Sequence, residues 1–244
     1  MIHVTLHGSL NDFLPAKRRG QPQVFMCPQG EQPALKHILA SLGVPPVEVG
    51  RALLNDIPTP LSSKTPDHSR VAAYPHTASP WPAENGAPCF VLDNHLGKLA
   101  SYLRILGFDT LYRNDYQDDE LARRATEGRI LLTRDRQLLM RNAVRYGHWL
   151  RSKTPRQQFQ AVAACFNLKE HIALFSRCPH CNTVLMPVEK SAVLERLEPL
   201  TRRYYDDFRC CPTCDRIYWQ GSHHERMQGW LTEVFTTTDP YGPA

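Results

Sequence analysis

No stretch of this chain stays apolar for the roughly 18 residues that a bilayer-spanning helix needs. Its opening residues, MIHVTLHGSL, lack the basic segment and apolar core of a secretory leader. A membrane partner is therefore not expected, and a cytoplasmic location is. There is no large excess of either charge, since 29 Lys and Arg stand against 24 Asp and Glu for a net +5, so the total says little about partners. Nor is the composition that of a disordered chain, with 42% hydrophobic and 22% charged residues. Eight cysteines in a reducing compartment do not suggest a disulfide frame; metal binding or burial accounts for them better. No nucleotide cofactor is expected.

What is present is enough chain, 244 residues, for two or three small domains. Residues 1–74 open with the alternating strand IHVTLHG, then run through LNDFLPAKRRGQPQVFM, which ends on a second short strand, to a helical pattern, PALKHILASLGV, in which Leu35, Ile38, Leu39 and Leu42 share a face before Gly43 and Pro45 stop it. Short strands follow in RALLNDIPTPL and RVAAYP. Strand, strand, helix, strand, strand is a β-grasp order. The segment resembles the ubiquitin-like domain related to sulfur-carrier proteins, but without their Gly-Gly end, which leaves a protein-interaction or substrate-positioning role. Residues 75–88, PHTASPWPAENGAP, carry four prolines and no periodicity and predict a semi-rigid linker.

From Cys89 strands and helices alternate. CFVL, DTLY, RILLT and a short strand around HWL predict strands; HLGKLASYLRIL, DDELARRATEG, a segment from Arg136 and RQQFQAVAACFNL predict helices. Thr154 and Pro155 form a start signal for the last of these. Such alternation implies a parallel α/β sheet over residues 89–174, and ligands of such sheets collect outside the carboxyl ends of the strands. Asp93 follows the first strand and Asp135 the third, while Asp118 and Asp119 begin the helix between them, just after Asp115. Carboxylates brought together there repel unless protonated or bridged by a cation, and hard oxygen ligands partly open to water suit Mg²⁺ or Mn²⁺. A cation so held supports attack of water on a phosphodiester. The bland alternative is that each Asp caps a helix. Arg134 and Arg136 flank Asp135 and are either phosphate contacts or its ion-pair partners. Between Arg123 and Arg156 ten Lys and Arg stand against two acids, which hints at a polyanion or describes a solvated face.

Residues 175–230 carry two cysteine pairs, RCPHCNTVL with Cys178 and Cys181 and RCCPTCDRIYW with Cys211 and Cys214. Two CxxC turns can close a tetrahedral shell with no open position, which predicts a structural zinc in a zinc ribbon. Cys211 is preferred to Cys210 because it repeats the Cys-Pro-x-Cys form. A redox CxxC or buried free thiols are the competing readings, and His180, His223 and His224 are substitute ligands. Cys89 and Cys165 read as core. Residues 231–244 look like a tail.

FVLDNHLGKLASYLRILGFDTLYRND, DDELARRA and RILLTRDRQLL, in this order and followed by the cysteine pairs, resemble the Mut-seven C-terminal RNase domain family over about 89–227. Members with a β-grasp domain in front belong to the same pattern. The resemblance implies a PIN-like parallel sheet flanked by helices, an N-terminal β-grasp domain, a C-terminal zinc ribbon and ribonuclease activity on RNA. It implies Asp93, Asp119 and Asp135 as catalytic acids and Mg or Mn ligands, with Asp118 or Asp109 as the further acid such nucleases usually add. Arg134, Arg136, Lys98, Arg104, Trp219 and His223 are the candidate RNA contacts, Trp219 also being a candidate for the core of the ribbon. The expected function is metal-dependent hydrolysis of RNA. Its alternative is a non-catalytic RNA-binding or adaptor protein that uses the ribbon and a basic surface.

Overall fold

The computed structural model describes residues 1–27, 30–221 and 229–230. The first sheet holds β1 (Ile2–Leu6), β2 (Gln23–Phe25), β3 (Val49–Leu54), β4 (Ile57–Pro58) and β5 (Arg70–Pro75) in the order β2-β1-β5-β3-β4. Its central pair, β1 with β5, is parallel and the other pairings are antiparallel. Helix α1 (Leu35–Ser41) lays Leu35, Ile38 and Leu39 on this sheet against Ile2, Val4, Val71 and Ala73. That is the β-grasp arrangement expected from the order of the elements.

The second sheet contains β6 (Phe90–Leu92), β7 (Thr110–Tyr112), β8 (Ile130–Thr133) and β9 (Tyr146–Trp149) in the order β7-β6-β8-β9, with every pairing parallel. Both faces are covered. Phe90, Leu92, Ile130 and Leu132 point to α2 (Gly97–Ile105) and α5 (Pro155–Phe166). Val91 and Leu131, the alternate residues, point to α3 (Asp118–Thr126) and α4 (Arg136–Leu139). Near-continuous apolar strands such as FVL and ILL therefore reflect burial on both sides. Gly107 ends α2 at φ 95°, and a Cβ there would lie 2.5 Å from the Ala173 carbonyl oxygen, so the turn needs glycine twice over.

The third sheet is antiparallel, β10 (Met186–Val188), β11 (Phe208–Cys210) and β12 (Ile217–Trp219), with α6 (Lys190–Val193) and α7 (Pro199–Tyr204) filling the gap between the cysteine pairs.

The segment expected as a linker is packed. Trp81 is buried in the same core as Phe90 and Phe159, donates its indole N–H to the Gly86 carbonyl and meets the Tyr146 ring edge-on at 5.2 Å. Its prolines leave it one short 3-10 turn, Ala83–Asn85, beyond the end of β5, but its one large aromatic finds the core beneath the parallel sheet. No described helix is long and apolar enough to cross a membrane.

Candidate functional site

The strand order places a topological switch between β6 and β8, where one connection runs to β7 and the next returns past β6. Ligand sites form outside the carboxyl ends at such a point. Asp93 stands at the end of β6 and Thr133 at the end of β8, and the two touch. The Thr133 hydroxyl donates to Asp93 Oδ2 at 2.6 Å, the Arg134 N–H donates to the same oxygen at 2.8 Å, and the His95 N–H donates to Oδ1 at 2.9 Å. Asp93 is only 6% exposed. Three donors on two carboxylate oxygens leave about one acceptor direction unfilled. Thr133 also accepts the Asp135 N–H at 2.8 Å, and Asp135 in turn caps α4 by accepting the Gln137 N–H at 2.8 Å. Asp135 itself is exposed. Asp93, Thr133 and Asp135 thus form one hydrogen-bonded unit at the mouth of the switch.

Asp118 and Asp119 lie in the first turn of α3. Asp119 is 93% exposed and paired with Arg141, whose other guanidinium nitrogen lies 3.9 Å from Asp118. The Asp119 hydrogen bond raises the Arg141 pKa, with Asp118 and Asp135 adding to it. One arginine therefore sits among three of the acids. Asp109 is elsewhere. It precedes β7, at the opposite end of the sheet, where it binds both arms of Arg129 at 3.0 Å and accepts from Asn182 at 2.7 Å. Burial raises its pKa, but these donors outweigh burial and hold the carboxyl below its usual range. Asp109 ties the ribbon to the sheet and is not brought together with Asp93 and Asp135.

Arg104, expected among the RNA contacts, is a correction: it is 5% exposed and donates to the carbonyls of Thr110, Pro179 and His180. Its position on the apolar face of α2 hides a guanidinium that stitches the first cysteine turn to the parallel sheet. Lys98 is exposed on the first turn of the same helix. Arg136 is exposed too, yet it donates to the Phe13 carbonyl at 3.1 Å. The run of basic residues is largely consumed within the protein: Arg123 and Arg124 pair with Glu120 and Glu127, Arg129 with Asp109, Arg141 with Asp119 and Arg151 with Asp12. Trp219 packs beside Phe208, Val193 and Leu197 in the core of the ribbon. His223 and His224 lie outside the described residues. Cys89 is half-buried, as is Cys165, and Cys27 packs at the edge of the N-terminal core.

The cysteine pairs converge. Sγ of Cys178 lies 3.6 Å from that of Cys214, Sγ of Cys181 lies 3.3 Å from that of Cys211, and all four sulfurs lie within 4.8 Å of one another. A tetrahedral ion with bonds of ~2.3 Å asks for sulfurs ~3.8 Å apart, so the donors fit. The two turns have the same geometry: Asn182 N–H reaches the Cys178 carbonyl and Asp215 N–H the Cys211 carbonyl, each at 2.9 Å and each with positive φ, 71° and 56°. Cys210 faces Asp215 instead. Among the described residues this is the one set of three or more His, Cys, Asp or Glu donors gathered so closely.

Two family models match this architecture. The Mut7-C RNAse domain matches residues 88–231 and the Mut7-C ubiquitin domain matches residues 1–80. The chain belongs to the Mut7-C RNase domain family. No curated protein and no solved structure matches it. Within this Mut7-C chain, sequence reasoning passed over Thr133, which links the two acids, and Arg141, which stands among three. The threonine of the T-R-D element is the available signal for the first, because a hydroxyl two residues before an Asp can accept its N–H.

Proposed function

We propose that this chain is a metal-dependent ribonuclease whose cation is held at the switch point by Asp93 and Asp135, with Asp119 and Asp118 approaching from α3. The observation that carries this reading is the Asp93–Thr133–Asp135 unit at the carboxyl ends of β6 and β8 in a chain of an RNase domain family. The oxygens of the acids are not gathered into a three-ligand cage, but Mg²⁺ keeps several waters and needs only one or two carboxylates plus substrate phosphate. The donor set therefore fits a hard cation. Bound there, such a cation would polarise the phosphate and lower the pKa of an attacking water.

The residues of the chain do the rest. Thr133 and the Arg134 N–H fix the rotamer of Asp93, so its remaining acceptor direction is oriented before any substrate arrives. Arg141, paired with Asp119 and 3.9 Å from Asp118, offsets part of their charge and so relieves their mutual repulsion. Arg134 and Lys98 supply positive charge for the RNA backbone. The four cysteines hold a structural zinc, and the ubiquitin-like domain takes a protein partner.

Asp135→Asn keeps the N-cap acceptor and removes the charge. RNA cleavage by this variant is expected to fall about 100-fold or more, with RNA binding within about two-fold of wild type. Cleavage rates and gel-shift affinities measured on the same zinc-loaded protein check this, and undiminished cleavage rejects Asp135 as a ligand. The pairing of Asp119 with Arg141 favours a second reading, an RNA-binding adaptor whose acids are structural. That protein binds RNA with strong salt dependence and leaves it intact under every metal.

A further inference from the structure

The ubiquitin-like domain meets the nuclease domain at β9 and at the turn after β8, and a buried carboxylate sits at the contact. Glu48 belongs to the turn Pro46–Glu48 just before β3 and is 6% exposed. Its Oε1 accepts the Trp149 N–H at 2.6 Å and lies 3.3 Å from Nδ1 of His148. Because β9 is the last strand of its sheet, this edge donor is satisfied by the other domain rather than by a further strand.

Trp149 belongs to both cores. Its ring packs against the N-terminal core, with the Phe13 centroid 4.9 Å away, and against the Leu131 and Leu138 core, which Val47 also reaches. Its indole N–H donates to the Arg134 carbonyl at 3.2 Å. That carbonyl shares a peptide unit with the Asp135 N–H, which Thr133 accepts. Both polar groups of the peptide from which Asp135 projects are therefore bonded, one within the turn and one through Trp149. Arg136 closes the same turn from the other side: it donates to the Phe13 carbonyl and lies 5.1 Å over the Trp149 ring.

An apolar contact would suffice to hold two domains together. Burying an acid and a histidine costs several kcal/mol unless their geometry is well satisfied, and here that geometry ends at the turn bearing Asp135. We propose that the ubiquitin-like domain is a positioning element of the candidate active site, with Glu48 acting through Trp149 to fix the Arg134–Asp135 peptide. The catalytic consequence rests on the ribonuclease reading; the ordering of the turn does not.

Trp149→Phe keeps an aromatic ring between the cores and removes the indole donor, and Glu48→Gln removes the charge. Both are made in the full chain and followed by amide hydrogen exchange and by RNA cleavage. Exchange over residues 133–137 is expected to speed up about ten-fold in Trp149→Phe while the protection of β6 is unchanged, and in Glu48→Gln to speed up beyond any change that β6 shares. In Trp149→Phe, kcat is expected to fall about ten-fold with KM unchanged, and the unchanged protection of β6 in the same protein excludes loss of folded enzyme as the cause. Unchanged exchange over 133–137 in both variants overturns the proposal, as does faster exchange with kcat intact in an active enzyme. Faster exchange in a protein whose wild type cleaves no RNA supports the positioning of the turn and rejects the ribonuclease reading instead.

Discussion

Stripping the metal with a strong chelator, or replacing Cys211 by serine, is expected to unfold residues 175–221 while leaving the parallel sheet in place. The buried apolar residues of the ribbon fall into two small groups, Leu185 with the cysteines and Val193, Leu197 and Phe208 beyond them. A unit of this size does not reach independent stability on such a core, whereas a structural zinc contributes about 10 to 16 kcal/mol of apparent binding energy at neutral pH. The core around Phe90, Leu99, Phe159 and Phe166 includes none of the four paired cysteines. Metal analysis should find one zinc per folded chain, and limited proteolysis after chelation should cut within the ribbon first. A ribbon that stays protease-resistant without metal would show that its thiols are structural only as a packed cluster.

Glu48→Gln is expected to cost roughly 3 kcal/mol at neutral pH, because removing one partner of a buried pair leaves the other without compensation. Burial alone would depress His148, but Glu48, with Cys165, outweighs it and pushes the His148 pKa up to about 10. For Glu48, burial raises the pKa, while His148, the Trp149 N–H and Arg151 bring it below the ordinary carboxylate value. A raised histidine contributes stability that is full below its unfolded pKa of about 6.5 and is lost as pH climbs to the folded value. A depressed glutamate contributes above about 4.5 and fails as pH drops below that. The gap in unfolding free energy between wild type and Glu48→Gln should therefore be widest near pH 5 to 6.5 and should narrow steadily toward pH 10. Denaturant unfolding across that range measures it; a gap independent of pH would mean that the pair is not ionised in the folded protein.

The parts of this molecule that were legible in its sequence are those with a local period or a fixed spacing. Leu35, Ile38 and Leu39 announce a helix face, FVL and ILLT announce strands buried on both sides, and two Cys-Pro-x-Cys turns announce a tetrahedral site. Asp93 and Asp135 were visible because a strand end is a local event and the parallel sheet brings strand ends together. Contacts between distant segments carry no such signal. Glu48 in PPVEVG reads as a turn residue and His148 in YGHWL as a strand residue, although 100 positions separate two side chains that meet in the fold. Arg104 looks like one more cation on an amphipathic helix, and only the ribbon folded over it turns it inward. Trp81 was hidden by its four proline neighbours, which describe the backbone well and say nothing about the ring.

The most direct test of the central claim is single-turnover cleavage of end-labelled single-stranded RNA by the full, zinc-loaded chain, with Mn²⁺ or Mg²⁺ titrated in and RNA binding followed in parallel. A carboxylate-held cation predicts cleavage that rises and saturates with the added divalent ion and stops when it is omitted, while binding persists. RNA that is bound equally well and remains intact across the whole titration would contradict the account and leave an adaptor built on a nuclease fold.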